Sequence, residues 1–349
     1  MLAPLLLPTV AAFGCAFALT PLVRHLALRL NAVSQPGGRH IQKHPTPKLG
    51  GLAIVGSFLL VTIGIVVLQP ERLQFVAGQV FGIDRNLFGV LLGAFILVVT
   101  GIVDDIYDLN PWIKLLLQAT AASCVVLFGV NIHWLSNPLG GNNIILGAAT
   151  YLLVPAWLLL MINTMNWFDG LDGLTSGLSI IASIAMIFLA LEPTVNQPAT
   201  ALLAAIVAGA ALGFLPYNWH PAKIFLGDTG SMFLGYMIGV FAIISGAKFA
   251  TAALVLGIPI FDAFWVIGRR LLSGQSPMKA DKLHLHHRFL NAGFSQRATV
   301  LILYAISGLF GIIALTSGTQ GKVTALLSLV AVAIALGVGL IVIEKRRRV

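Results

Sequence analysis

Long apolar runs occupy most of the chain and leave few folds open to it. A helix needs roughly 20 apolar residues to cross a bilayer, and fewer where glycine or a polar end shortens the run. About eleven runs meet this condition. They cover residues 2–23, 49–68, 86–103, 113–130, 146–162, 173–191, 199–216, 230–246, 250–267, 298–317 and 323–343. The pattern predicts an all-α, polytopic membrane helix bundle.

The composition agrees with this prediction. The chain has 349 residues, of which 58% are hydrophobic and only 9% are charged, whereas a soluble domain carries about 25% charged residues. No internal repeat or linker divides the sequence, so residues 1–349 are predicted to form one membrane domain. Arg24 and Arg29 follow the first run rather than precede it, which favours a retained span over a cleaved signal. Cys15 and Cys124 form no CxxC pattern and indicate neither a disulfide framework nor a thiolate zinc site.

The distribution of charge predicts the orientation. The odd-numbered runs are followed by the loops 24–48, 104–112, 163–172, 217–229 and 268–297 and by the tail 344–349. Taken together, these segments hold most of the Lys and Arg residues of the chain. The positive-inside rule therefore places the N-terminus outside and the C-terminus in the cytoplasm. Most acidic residues fall on the same face, where a basic surface has no need of them. Their collection indicates a site, and the net charge of +9 fits anionic substrates or lipids better than nucleic acid.

One polar stretch interrupts two apolar runs. Residues 163–177 carry Asn163, Asn166, Asp169 and Asp172 at three-residue steps. Such steps bring side chains towards one side of a helix. Carboxylates and amides in so apolar a chain must face water, a cation or one another. The alternative is a polar loop in which Asp169 or Asp172 caps the next helix. Asn163 receives no role beyond support of the loop.

Two further acidic groups lie in other loops of this face. Asp104 and Asp105 end the third run as neighbouring carboxylates, whose repulsion raises one pKa unless a cation is present. Lys114 follows them, where it can balance the pair or hold a phosphate. Asp228 stands at the start of a later span, where a helix N-terminus also favours phosphate. Simple solvation and capping are the alternatives, and nearby Phe225 serves either to stack on a base or to pack.

The loop 268–297 contains three histidines within four positions, His284, His286 and His287, followed by Arg288. Adjacent histidines are awkward zinc ligands, so binding of an anionic substrate fits this cluster better. Asp262, about two turns before Arg269 and Arg270, is interpreted as a structural ion-pair partner rather than a catalytic group.

The first predicted cytoplasmic loop supplies two more cations. Lys43 and Lys48 lie in a stretch punctuated by proline and glycine and are candidates for phosphate contact. The alternative is a basic anchor at the membrane surface.

Together these groups indicate a reaction class. Carboxylates and an amide suit Mg²⁺, which takes oxygen ligands and shares them with substrate phosphates. Basic side chains around them suit a pyrophosphate. Phosphoryl transfer onto a membrane lipid is therefore predicted. An ion-coupled transporter is the distant alternative, but its polar groups are expected near the bilayer midplane in related repeats.

Four ordered motifs resemble those of the polyprenyl-phosphate N-acetylhexosamine-1-phosphate transferases, glycosyltransferase family 4. They are Asp104-Asp105, Asn163-x-x-Asn166-x-x-Asp169-Gly-x-Asp172, Phe225-x-Gly-Asp228-x-Gly-Ser231 and His284-x-His286-His287. The resemblance spans nearly the whole chain, from Thr46 to the histidines. The HxHH form after Ser276-Pro277 is similar to the undecaprenyl-phosphate GlcNAc-1-phosphate transferase branch. Leu285 departs from the three consecutive histidines of the phospho-MurNAc-pentapeptide transferase branch, which remains the alternative.

The resemblance implies a reaction and its partners. An N-acetylhexosamine 1-phosphate, most simply GlcNAc 1-phosphate, passes from a UDP-sugar to polyprenyl (undecaprenyl) phosphate with release of UMP. This is the first membrane step of cell-envelope glycan synthesis, such as lipopolysaccharide or teichoic acid. It implies a multi-pass protein of the bacterial inner membrane with its site in the cytoplasm. Mg²⁺ is the expected cofactor, with Mn²⁺ as a substitute. The expected partners are the UDP-sugar and the membrane lipid, with no nucleic acid, and a homodimer is an open expectation.

The resemblance also implies residue roles. Asp228 and Asn166 are expected to bind the metal, and Asp104, Asp105 and Asp169 to be the catalytic carboxylates. The nucleotide contacts are expected at Asp172, Phe225 and Lys48, and the sugar-phosphate contacts at Lys114, His284, His286, His287 and Arg288.

Physical reasoning makes the role of base an optional one. The second pKa of a phosphate monoester is about 6, so the lipid phosphate is largely dianionic at neutral pH and needs alignment more than deprotonation. Positioning and metal electrostatics are therefore expected to dominate, with Asp104 or Asp105 as an optional base. On this hypothesis Asp228→Ala abolishes transfer, whereas Asp105→Asn leaves pH-dependent activity.

Overall fold

The structure is a computed structural model that describes residues 2–35, 45–76, 78–135, 137, 141–246, 248–275 and 284–348. Parts of the predicted loops 24–48 and 268–297 lie outside the described residues, and with them Lys43 and Ser276-Pro277.

Helices dominate the described chain. They are α1 (Ala3–Arg29), α2 (Gly51–Leu68), α3 (Arg85–Tyr107), α4 (Pro111–Leu127), α5 (Thr150–Phe168), α6 (Leu174–Leu191), α7 (Pro198–Asn218), α8 (Gly227–Ile244), α9 (Phe249–Val255), α10 (Gly257–Leu272), α11 (Leu285–Asn291), α12 (Gln296–Thr316) and α13 (Thr319–Arg348). Three two-residue antiparallel strand pairs connect them: β1 (Val33–Ser34) with β2 (Thr46–Pro47), β3 (Gln79–Val80) with β4 (Ile83–Asp84), and β5 (Trp134–Leu135) with β6 (Ile144–Ile145).

Every predicted apolar run corresponds to a helix or a helix pair. Within the described ranges, 9 helices are long and apolar enough to cross a membrane, and the bent pair α9–α10 makes a tenth candidate. The remaining run is α4, a shorter apolar helix that begins at Pro111. The all-α, polytopic membrane bundle is thereby confirmed. The orientation of its termini stays a prediction.

The ninth predicted span is broken rather than straight. α9 and α10 meet at an angle of 85°, whereas the apolar run 250–267 predicted one continuous helix. The ring of Pro259 would clash with the Val255 carbonyl in a continuous helix, so α9 ends there. The freed Val255 carbonyl accepts a hydrogen bond of 2.7 Å from the Ser307 hydroxyl of α12. In α10, Pro259 then lies in the first turn, where its missing N–H costs nothing.

The most deeply buried helices are α7 and α8. Small residues allow close packing around them. This is usual inside a bilayer, where no hydrophobic force drives helices together and close contact must stabilise their association. A side chain at Gly51 of α2 would overlap the backbone of Gly230, so the N-terminal ends of α2 and α8 are in direct contact. This central position holds the start of α8 rigidly against its neighbours.

Candidate active site

A cavity of about 990 Å³ opens where α3, α5 and α10 end and α4 and α8 begin. Of the predicted site residues that the structure describes, all except Arg288 line it. The lining includes Lys48, Asp104, Asp105, Lys114, Asn163, Asn166, Asp169, Asp172, His220, Phe225, Asp228, Arg270, His284, His286 and His287. The four polar side chains at positions 163, 166, 169 and 172 thus line one cavity. The first two lie on α5, which ends at Phe168, and the other two lie on the segment that follows it along the cavity wall.

Lys114 is the centre of the polar network. Its Nζ atom lies 2.7 Å from Asp104 Oδ2 and 3.0 Å from Asn166 Oδ1, and it also bonds Asp228 Oδ2. The ammonium side chain is only 16% exposed. Lys114 therefore pairs with Asp104 and Asp228. Of the Asp104–Asp105 pair that it was predicted to balance, it contacts Asp104. We call Lys114, Asp104, Asn166 and Asp228 the lysine cluster.

Asn166 links the cluster to α8. Its Nδ2 group donates to Asp228 Oδ1 at 2.9 Å and to the Ser231 hydroxyl at 3.0 Å. Its Oδ1 atom accepts from Lys114. The amide therefore holds the Asp228 carboxylate in place while its own carbonyl oxygen faces the ammonium.

Asp105 occupies a different position from its neighbour Asp104. Its carboxylate accepts hydrogen bonds from the Asp228 N–H at 3.1 Å, the Thr229 N–H at 3.1 Å and the Thr229 hydroxyl at 2.9 Å. Both oxygens thus cap the N-terminal turn of α8 from outside that helix. Gly227 permits the close approach, since it has φ +75° and a side chain there would crowd the Asp105 carboxylate. We call this arrangement the Asp105 junction.

Asp169 directly follows α5. Desolvation of its carboxyl group raises its pKa to about 8, and the nearby carboxylates of Asp228, Asp105 and Asp172 act in the same direction. Asp169 is therefore largely protonated at neutral pH in the substrate-free protein.

Asp172 does not cap α6, whose N-cap is Gly173. Its Oδ2 atom lies 2.7 Å from His220 Nδ1 and accepts a hydrogen bond of 3.1 Å from the Ala222 N–H. Arg297 in turn donates through Nε and Nη2 to the His220 carbonyl, at 3.1 and 2.9 Å. The carboxylate is thus held on one oxygen by the segment that follows α7.

Phe225 and Lys48 are brought together by backbone pairing. The Phe225 N–H donates to the Pro47 carbonyl at 2.8 Å, and the Phe225 carbonyl accepts from the Gly50 N–H at 2.9 Å. This pairing places the predicted nucleotide contacts Phe225 and Lys48 on the same wall of the cavity.

The histidines lie at the start of α11. His284 Nδ1 is 2.7 Å from Asp262 Oδ2, and the Leu285 N–H donates to Asp262 Oδ1 at 2.8 Å. The partner of Asp262 is thus His284, a different partner from Arg269 and Arg270, beside which an ion pair was expected. His286 is buried with its ring edge against Phe168, and burial holds its pKa well below the usual range. A neutral His286 is the consequence.

Sequence reasoning missed several supporting residues. His220 was not singled out, although it directly contacts Asp172. Gln118 was also overlooked: its Oε1 atom accepts from Asn163 Nδ2 at 2.8 Å, so Asn163 supports the α4–α5 contact. A histidine beside a proline in a polar stretch was the only signal for His220, and an isolated glutamine in an apolar run was the only signal for Gln118.

The donor set of the lysine cluster fits a hard cation. Two carboxylates and an amide oxygen converge on one point, which is occupied by the Lys114 ammonium. Oxygen donors of this kind suit Mg²⁺ or Mn²⁺. Across the described residues, no group of three or more His, Cys, Asp or Glu side chains forms a metal site. No described histidine cluster offers a zinc site.

Comparison with known proteins places the chain among membrane sugar-phosphate transferases. A family model described as glycosyl transferase family 4 matches residues 87–246. A probable undecaprenyl-phosphate N-acetylglucosaminyl 1-phosphate transferase of Bacillus subtilis (strain 168) is 36% identical over 303 residues, covering 85% of this chain and 80% of that protein. A decaprenyl-phosphate N-acetylglucosaminephosphotransferase of Mycolicibacterium smegmatis is 34% identical over 93% of this chain and 85% of that protein.

A second branch is more distantly similar. A phospho-N-acetylmuramoyl-pentapeptide-transferase of Limosilactobacillus reuteri is 29% identical over 80% of this chain and 85% of that protein. The predicted family is thus confirmed by relatives that match nearly the whole chain, with all four motifs on one bundle of helices. The chain belongs to glycosyl transferase family 4.

Proposed function

We propose that this protein transfers GlcNAc 1-phosphate from UDP-GlcNAc to a polyprenyl phosphate, releasing UMP. The observation that carries the proposal is the lysine cluster, where cationic and anionic groups meet in a cavity at one end of the membrane bundle. The similarity to two GlcNAc phosphotransferases supports the choice of sugar. Phospho-MurNAc-pentapeptide is the second candidate donor group, because a relative of that activity also matches.

The proposed reaction exchanges one phosphorus–oxygen bond for another. An oxygen of the lipid phosphate forms a bond to the β-phosphorus of UDP-GlcNAc. The bond from that phosphorus to the bridging oxygen breaks, and UMP leaves with the electron pair. The lipid phosphate is largely dianionic at neutral pH, so no proton need be removed from it. The protein's main tasks are alignment and relief of charge repulsion.

Asp228, Asn166 and Asp104 are the residues proposed to hold Mg²⁺. When bound there, the ion would neutralise charge on the diphosphate and the developing charge on the leaving UMP. Lys114 would hold an oxygen of the diphosphate as a second cation. Asp169, largely protonated at neutral pH, would donate a hydrogen bond to a phosphate oxygen without adding negative charge.

The uridine is proposed to bind on the wall formed by Asp172, Phe225 and Lys48. Asp172 uses Oδ2 for His220 and Ala222, which leaves Oδ1 for the uracil imide N–H. Phe225 offers a ring face for stacking. The neutral His286 and its neighbours His284 and His287 are proposed to contact the sugar phosphate.

An optional base is better sought at Asp104 than at Asp105. Both oxygens of Asp105 are held by the start of α8, whereas Asp104 accepts from the Leu109 N–H with Oδ1 and places Oδ2 against the ammonium of Lys114 in the cavity. The cytoplasmic direction of the cavity and residence in a bacterial inner membrane complete the proposal. They are supported by the positive-inside rule and by the bacterial relatives.

Product analysis tests the proposal directly. Purified protein is incubated with undecaprenyl phosphate, Mg²⁺ and either UDP-GlcNAc or UDP-MurNAc-pentapeptide, and UMP and the lipid product are measured. UMP from UDP-GlcNAc alone supports the proposal, and UMP from UDP-MurNAc-pentapeptide alone supports the second candidate. Absence of UMP with every UDP-sugar would refute the transferase and favour the transporter alternative, which liposome flux then tests.

A further inference from the structure

The lysine cluster has a feature that the transfer reaction does not require. A lysine ammonium has three N–H donors. Lys114 contacts three oxygens with them, one each from the helices α3, α5 and α8. These oxygens, on Asp104, Asn166 and Asp228, are the donors expected to hold a divalent cation. The ammonium therefore lies where the divalent cation is expected.

An ammonium and a divalent ion compete for these oxygens. Like charges a few Å apart repel strongly, most of all in a partly desolvated site. A cation that takes all three oxygens must displace Lys114. The displaced ammonium, only 16% exposed while bound, then needs another anion, because a buried charge without a partner is costly.

The donor's diphosphate is the anion that fits. It enters the same cavity, carries several acceptor oxygens and arrives with the metal it chelates. The four-carbon stem of lysine allows its head to move without moving α4. Metal and nucleotide would then bind cooperatively, since each removes an obstacle to the other.

We propose that Lys114 acts as an exchangeable internal cation: it neutralises the carboxylates of the lysine cluster, excludes a divalent ion on its own, and yields their oxygens when metal and diphosphate enter together. The exclusion of free metal is independent of the reaction. The role of the diphosphate rests on the proposed function.

Metal binding tests the exclusion. Mn²⁺ affinity is measured by electron paramagnetic resonance on purified, detergent-solubilised protein without substrate. Lys114→Met should bind Mn²⁺ at least about 10-fold more tightly than wild type, since a competing charge is removed. Lys114→Gln, which keeps a polar side chain, should show the same direction.

Lys48→Met is the matched control for the general effect of charge. Lys48 is a second lysine that lines the cavity, and no bond from its side chain to the oxygens of the lysine cluster is present in the described structure. Its replacement should change Mn²⁺ affinity by less than about 3-fold. Size-exclusion profiles and thermal unfolding check that each variant is folded. Unchanged or weaker Mn²⁺ binding by folded Lys114→Met and Lys114→Gln, or equal tightening in Lys48→Met, would overturn the exclusion.

Addition of UDP tests the exchange. UDP should tighten Mn²⁺ binding by wild type about 10-fold or more, as typical coupling energies allow, and by Lys114→Met distinctly less, because no lysine remains to be drawn away. Uridine, which lacks the diphosphate, should leave the affinity unchanged. Equal UDP effects in the two proteins would contradict the exchange even if UMP release shows the transferase to be active. If wild type releases no UMP but the expected differences in Mn²⁺ affinity are observed, the proposed function alone would be contradicted.

Discussion

Asp104 and Asp105 are adjacent in sequence but belong to two different regions of the protein. Asp104 belongs to the lysine cluster, where its carboxylate meets a cation at the cavity surface. Asp105 belongs to the Asp105 junction, where it accepts three hydrogen bonds from the first turn of α8. Successive residues on a helix point about 100° apart, so one carboxylate faces the cavity and the other faces a neighbouring helix.

The difference separates two kinds of contribution. Partners in the lysine cluster are mobile in principle, since an ammonium or a metal ion can be exchanged. Partners at the Asp105 junction are backbone N–H groups of α8, which cannot leave without unwinding the helix. The junction also fixes Asp228, because the Asp228 N–H itself bonds Asp105. The fixed region therefore positions the exchangeable one.

The largest expected effect comes from removal of the residue that joins both regions. Asp228→Ala keeps its backbone N–H and thus the junction, but loses the carboxylate of the cluster. We expect at least about a 10³-fold loss of UMP release with little change in thermal unfolding. Ser231→Ala, which removes the hydrogen bonds of the hydroxyl with Asn166 and with the Gly227 carbonyl but keeps the Asp228 carboxylate, is the control and should lose far less activity. Activity of Asp228→Ala within 10-fold of wild type would show that the cluster is not the reaction centre.

The second prediction contrasts the two neighbours directly. In Asp105→Asn one carboxylate oxygen becomes an NH₂ group that faces N–H donors, so the start of α8 should be destabilised by about 1–3 kcal/mol. In Asp104→Asn the carboxylate bond to Lys114 weakens, and activity should fall about 10²-fold with the smaller loss of stability. Thermal unfolding and UMP release of both variants are compared. The opposite ranking of the two unfolding temperatures would break the distinction between the regions.

The Asp105→Asn variant also tests whether Asp105 acts as a general base. The expectation of pH-dependent activity in Asp105→Asn stays a prediction, and a pH profile of that variant measures it. If capping is the only role of Asp105, the profile should keep its wild-type shape at lower amplitude.

A third prediction concerns a fixed contact at the cavity edge. His220→Ala removes a partner of Asp172 Oδ2, so the carboxylate should be less well oriented towards the nucleotide. We expect KM for the UDP-sugar to rise about 10-fold, the cost of one charge-assisted hydrogen bond, with kcat changed little. His25→Ala, an exposed histidine of α1, is the matched control. A fall in kcat at constant KM would place His220 with the reacting groups instead.

The last prediction concerns stability rather than activity: a change in how stability depends on pH. Asp169 has a pKa of about 8 in the folded protein, against about 3.9 in an unfolded chain. Between these values the folded state holds one proton more, so this carboxyl makes stability fall as pH rises. Asp169→Asn cannot ionise, so it should gain thermal stability relative to wild type between pH 5 and pH 8. Parallel unfolding-temperature curves for the two proteins would mean that the pKa is not raised.

Much of the architecture follows from local sequence. Apolar runs predict the spans, because each helix must be long enough and apolar enough for the bilayer on its own account. Polar motifs placed after alternate runs predict that Asp104, Asn166 and Asp228 meet at one end. This prediction requires only that each span crosses the membrane once, so that alternate loops lie on the same face. It does not depend on how the helices pack.

Other features were decided only by tertiary structure. The bond between Asp105 and the α8 backbone joins residues more than a hundred positions apart, and the His220–Asp172 contact joins residues 48 positions apart. Pro259 accounts for the bend before α10, but the partner of the freed Val255 carbonyl, Ser307 of α12, depends on packing. Hydropathy and spacing describe one helix at a time. Which face of α3 meets α8, and hence which neighbouring carboxylate binds a cation, depends on how separate helices pack.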